Sequence, residues 1–231
     1  LRDGSAEALA ALMDEIQGTA YRTGAEVKPK HAQTAAGQLE SLTDALSVVQ
    51  PQDVGGSGAS SLTGALQKVQ SDVERVPQLR PLAVLLEKIR DRLAPMEASS
   101  LFGEEGFRAQ AEMMEFFLET GQLQQAVTLA REALGSFQAI RMGYSPEPLP
   151  RSEEDGRDRA ENALNALADT DSDKRTEEGG SLADLWSGVR EVRNYINHAG
   201  MNPKSYGVET LKENVEEVVS ETAEYLRSQF T

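Results

Sequence analysis

The chain has 231 residues, 39% hydrophobic and 26% charged, with a formal net charge of −15; that suits one large or two small globular units and argues against a protein that coats nucleic acid with a broad basic surface, while leaving room for a small basic cleft. It has no cysteine and only two histidines, His31 and His198, so disulfides, thiolate nucleophiles and sulfur-ligated zinc are excluded, no cofactor is assigned, and magnesium on carboxylates is the metal chemistry left open. No run of about eighteen apolar residues and no secretory leader pattern is present, so a cytoplasmic protein with no membrane partner is expected.

The sequence opens at Leu1 without a methionine, and an upstream segment is expected. Apolar spacing then predicts helices almost throughout, with no alternating strand of useful length. Leu9, Leu12, Met13 and Ile16 form one stripe, and Leu39, Leu42, Leu46 and Val49 a second. The glycine-rich stretch Gly55–Gly58 reads as a break before a helix carrying Leu62, Leu66, Val69 and Val73. Pro81 suits a first helical turn ahead of Leu82, Leu85, Leu86, Ile89 and Leu93.

From Phe107 the apolar groups become larger: Met113, Met114, Phe116, Phe117 and Leu118, then Leu123, Ala126, Val127, Ala130 and Leu134 beyond Gly121. The stretches 143–150 and 169–180 read as loops, the second charged and mobile, flanking a short helix over 159–167. Ser181, with Asp184 three residues on, predicts the cap of a helix that Gly200 and Pro203 close. A last helix is expected over 208–230, with Leu211, Val215, Val218, Val219, Ala223 and Leu226 inside. The expected fold class is all-α, a bundle of about eight helices. Residues 1–100 form a helical region without conspicuous chemistry and 101–231 a second domain; with no fixed-period repeat, a solenoid is not expected.

The helix opened by Ser181 carries two kinds of side chain on two arcs. Leu182, Leu185, Val189, Val192 and Ile196 fall on one arc, and Arg190, Arg193, Asn194, Asn197 and His198 on another. Arg193 and Asn197 are four apart, as are Asn194 and His198, so each pair stacks turn upon turn. These residue types suit cleavage of RNA without a metal. An imidazole moves protons near neutral pH, which fits His198. A guanidinium stabilises the charge that develops on phosphorus, which fits Arg193. Asn194 or Asn197 orients the substrate, with Arg190 and Tyr195 as further substrate contacts. One such set lacks a second acid or base, so a homodimer with a composite cleft is expected.

A helical Arg and His at this spacing also occur on ordinary solvated faces. His31 reads as a surface residue at a helix start, Met113 and Met114 as core, and Trp186 and Tyr195 as packing groups, with Tyr195 also placed to line a cleft. The acidic runs near Glu153, Glu177 and Glu216 read as solvated faces.

The run Val192-Arg193-Asn194-Tyr195-Ile196-Asn197-His198-Ala199-Gly200 resembles the signature of HEPN ribonucleases. Phe107–Glu112 and Gln125–Leu134 are similar to the helices preceding that signature in CARF–HEPN effectors of type III CRISPR systems, and Leu79–Pro95 to their linker. The resemblance implies that 101–231 is a HEPN ribonuclease domain and 1–100 a helical linker or insertion. It implies Arg193 and His198 as catalytic residues and Asn194 as their companion. It further implies antiviral cleavage of single-stranded RNA, with no DNA substrate, leaving a 2′,3′-cyclic phosphate. The activator it implies is cyclic oligoadenylate bound to a CARF domain, whose strand pattern this sequence lacks. Two other readings stand beside it: a HEPN toxin of a toxin–antitoxin pair, and a non-catalytic helical adaptor that binds a phosphate or a partner helix.

Overall fold

The computed structural model describes residues 5–144, 156–198 and 207–230. Among these the chain forms nine α-helices, a few 3-10 and π-helical segments and no strand. Two compact units divide it, Leu1–Leu101 and Phe102–Thr231.

The first unit contains α1 (Ser5–Arg22), α2 (Ala32–Ser47), α3 (Ser60–Arg75) and α4 (Ala83–Leu93). Each packs on the next, α1 on α2, α2 on α3 and α3 on α4. Leu9, Met13, Leu39, Leu42, Leu62, Leu66, Val69, Leu86 and Leu93 fill the core. Because α1 and α4 each have one main helical neighbour in the unit, their buried stripes are narrow, and Leu12 and Leu85 stay exposed although their spacing predicts burial. Asp72, on α3 and 1% exposed, anchors the entry to α2. Its Oδ2 accepts hydrogen bonds from the backbone N–H groups of Lys30 (2.7 Å) and His31 (2.6 Å). A carboxylate on these amides satisfies donors that precede the helix and complements the positive end of its dipole. His31 thus serves the helix start through its backbone.

In the second unit α5 (Glu104–Glu119), α6 (Leu123–Arg141), α7 (Arg157–Ala168), α8 (Glu177–Asn197) and α9 (Val208–Ser228) pack around α6, which touches all the others. Phe107, Met113, Met114, Phe117, Val127, Leu134, Leu164, Leu182, Trp186 and Leu226 are buried. The α5–α6–α9 side is closed by rings, with Phe107 and Phe230 stacked at 5.8 Å and Phe137 edge-on to Phe107 and Tyr225 at 5.7 Å each. Arg227 of α9 bonds to Glu112 (2.7 Å) and Glu115 (2.5 Å) of α5.

Three sequence expectations are corrected. The Gly55–Gly58 stretch does not break the chain's helical course: a π-helical segment, Gln52–Ala59, runs into α3. The carbonyl of Gly55 accepts a hydrogen bond from the amide of Ala98 (3.2 Å), which holds that backbone from outside. The 169–180 stretch is not one open loop. It contains a 3-10 turn at Ser172–Lys174 and the first turn of α8. Arg175 organises it, donating to the carbonyls of Thr170 (2.8 Å) and Ala168 (2.6 Å) and to Asp184 (3.0 Å).

Ser181 is not the cap of α8. Thr176, in extended geometry, is the cap, and its Oγ1 accepts from Gly179 N at 3.1 Å. A Cβ at position 179 would stand 2.9 Å from that hydroxyl oxygen, so glycine is what lets the cap close. Ser181 lies in the helix and bonds its hydroxyl to the carbonyl of Glu177 (3.3 Å). The closure of this helix by Gly200 and Pro203, most of the 143–150 loop and Glu153 lie outside the described residues.

Candidate active site

The Arg-Asn-x-x-x-His run occupies the last turn and a half of α8, and His198 is the C-cap. The arc made by Leu182, Leu185, Trp186, Val189, Val192 and Tyr195 is buried against the bundle. That burial turns the polar arc outward. Asn194, Asn197 and His198 are exposed, and Arg193, at the edge of the buried arc, is half-buried. The amide of His198 closes the helix by donating to the carbonyl of Asn194 (3.0 Å). His198 itself is an exposed residue.

Arg193 and His198 are five residues apart on one helix, about 140° around the axis and about 7.5 Å along it. Their side chains therefore leave the helix in diverging directions. Arg193 with Asn197, and Asn194 with His198, sit one turn apart on shared edges. The backbone brings these four side chains to one end of one helix; it does not converge all of them on one point.

The two other residues assigned to substrate contact are placed differently. Arg190 is exposed, and its Nη1 donates to Asn165 Oδ1 of α7 at 3.1 Å. Tyr195 is 8% exposed and belongs to the buried arc with Val192. It packs.

The structure also reveals a polar cluster that is not legible as a unit in the sequence. Arg131 of α6 bonds to Glu161 of α7 (2.5 Å) and to Glu132 (3.0 Å), while Arg157 of α7 bonds to Glu161 (3.1 Å) and Glu132 (2.7 Å). Two guanidinium groups and two carboxylates close a ring of zero formal charge between α6 and α7. The Arg131 guanidinium also lies 5.4 Å from the centroid of the Trp186 ring, whose Nε1 donates to Asn165 Oδ1 at 2.8 Å. The ring of charges thus seats the indole that fixes α8. Its one trace in sequence is the i,i+4 spacing of Arg157 and Glu161.

A groove of about 570 Å³ opens between α8 and α9 on another side of the motif helix. Leu185, Gly188 and Val218 line its floor, with Glu191, Glu217 and Glu221 at its rim. None of the six predicted site residues borders it, and carboxylates at its edge have the wrong sign for a phosphodiester. The candidate site is the C-terminal edge of α8. Among the described residues no group of three or more His, Asp or Glu is clustered so as to hold a metal ion, and no helix is long and apolar enough to cross a membrane. No protein-family model matches this chain, and no curated protein matches it.

Proposed function

We propose that the chain is an endoribonuclease of HEPN type, acting on single-stranded RNA in CRISPR antiviral defence, with Arg193 and His198 at its centre and Asn194 beside them. The observation that carries this reading is the exposure of His198, Asn194 and Asn197 at the end of a helix whose opposite arc is buried. An imidazole packed inside the bundle would have no access to substrate.

The reaction needs one proton removed and one delivered. The ribose 2′-hydroxyl loses its proton to a base and attacks the adjacent phosphorus; the bond from phosphorus to the 5′-oxygen breaks, and that oxygen takes a proton. The products are a 2′,3′-cyclic phosphate and a 5′-hydroxyl. His198 supplies proton transfer and Arg193 donates N–H groups to the phosphoryl oxygens as charge builds there. Since the two side chains diverge on one helix, a second copy related by a two-fold axis completes the set: the imidazole of one protomer faces the guanidinium of its partner, and the second imidazole serves as the acid. Cyclic oligoadenylate acting through a CARF domain is the regulation that accompanies this reading.

The rival with an observation behind it is a non-catalytic adaptor, favoured by the net charge of −15. The two separate on one assay, in which labelled single-stranded RNA is incubated in EDTA with wild-type protein, His198→Ala and Arg193→Ala over a range of protein concentrations. The nuclease loses at least about a hundredfold in rate on either substitution, in line with the loss of a general acid–base group, and its specific activity falls on dilution below the dimer dissociation constant. An adaptor turns over no RNA at any concentration. Undiminished cleavage by both alanine variants removes these residues from the mechanism.

A further inference from the structure

Arg190 differs from four other arginines of its unit in what holds it. Arg131, Arg157, Arg175 and Arg227 each bond to a glutamate or aspartate. Arg190 bonds to an amide: its Nη1 donates to Asn165 Oδ1 at 3.1 Å. That oxygen is fixed in turn, because it also accepts the Nε1–H of Trp186 at 2.8 Å, and the indole is 2% exposed and covered by Arg131. A neutral acceptor orients a guanidinium without cancelling its charge. A carboxylate in the same place would orient it and neutralise it.

The guanidinium has five N–H groups, and the tether uses one of them. Arg190 is exposed and lies on the polar arc with Asn194 and Asn197. It stands eight residues before His198, about 12 Å along the helix axis. That is two turns away, so the phosphate it can hold is a neighbour of the one cleaved at His198.

We infer that Asn165 is a positioning residue that holds Arg190 as an anchor for a phosphate flanking the scissile linkage of a bound RNA strand. The inference rests on the ribonuclease reading and extends it to a residue of α7 that the motif does not contain. The anchor adds binding common to ground state and transition state, so its loss raises KM and leaves kcat nearly unchanged.

The test uses a short oligonucleotide carrying one ribose 2′-hydroxyl, with 2′-O-methyl groups at every other sugar so that one linkage alone is cleavable. A companion set replaces each flanking phosphate in turn by a neutral methylphosphonate. The variants are Arg190→Ala, which removes the anchor, and Asn165→Asp, which keeps the oxygen acceptor for Trp186 and the fold but sets a negative charge on Arg190. Each is expected to raise KM about tenfold, the size of one charge-assisted hydrogen bond, with kcat within about twofold of wild type. For wild type, one methylphosphonate position carries the same penalty; for both variants that position carries none. A structural role for Asn165 predicts the opposite, because the isosteric Asp keeps the acceptor and therefore the wild-type KM. An unchanged KM in Asn165→Asp, or a methylphosphonate penalty that persists in Arg190→Ala, overturns the anchor. Cleavage by wild type with no flanking-phosphate dependence rejects the anchor alone, whereas no cleavage of any oligonucleotide by wild type rejects the ribonuclease reading and the anchor with it.

Discussion

Substituting Gly188 by alanine sets two effects of opposite sign against each other on the helix that carries the site. Position 188 has an ordinary helical backbone, so alanine gains about 1 kcal/mol of helix propensity over glycine. Against this, the new Cβ would lie 2.8 Å from Cγ2 of Val218 on α9 and 3.7 Å from its Cβ. Val218 is 8% exposed and β-branched, so it has little freedom to turn away. Overpacking of this kind costs about 1–3 kcal/mol, and the expected net result is a loss of about 1 kcal/mol. Val218→Ala alone removes two methyl groups and costs about 2 kcal/mol. In the double variant the alanine methyl occupies the space that Val218 vacates. The double is therefore more stable than the sum of the singles predicts, by about 1–2 kcal/mol. Trp186, the only tryptophan in the chain and buried in this unit, reports the transition in urea by its fluorescence. A Gly188→Ala protein stabilised by about 1 kcal/mol, with additive behaviour in the cycle, would refute the close approach of α8 and α9.

Glu161→Leu removes the carboxylate that Arg131 and Arg157 share; leaving two largely buried guanidinium groups short of a partner is expected to cost about 3 kcal/mol, measured by the same Trp186 fluorescence transition. A midpoint within error of wild type would show the ring to be idle. In the other unit, Asp72→Ala leaves the amides of Lys30 and His31 without their shared acceptor and is expected to cost about 2–3 kcal/mol. Asp72→Asn, which keeps one oxygen, is expected to cost about 1 kcal/mol. Amide hydrogen exchange checks the assignment: protection at Lys30 and His31 falls first in the alanine variant, and uniform loss across α2 and α3 would place the effect elsewhere.

Helical periodicity is a local property, so the inward faces of α3 and α9 could be read from the chain. The spacing of Leu62, Leu66, Val69 and Val73, or of Val215, Val219, Ala223 and Leu226, states which side of a helix turns inward, and all eight are buried. The same reasoning failed at Leu12 and Leu85, because how wide a stripe is covered depends on how many neighbours the helix finds. It failed at the start of α8 as well. Ser181 and Thr176 are both fair caps by residue type, and the choice fell to Thr176 because Gly179 lets its hydroxyl approach and Arg175 ties the preceding turn to α7 and to Asp184.

By itself the amino-acid order determined that the chain is helical, and it set Arg190, Arg193, Asn194, Asn197 and His198 along one arc, because helix pitch converts spacing directly into direction. Only the tertiary structure decided which of those side chains meet solvent and which are held. Tyr195 lies beside Asn194 in sequence yet is buried, since its direction points into the bundle. Arg190 is tethered by Asn165, twenty-five residues away in sequence, and the four charges that seat Trp186 come from two helices. Such contacts follow from how the helices pack together, and no spacing within a single helix encodes them.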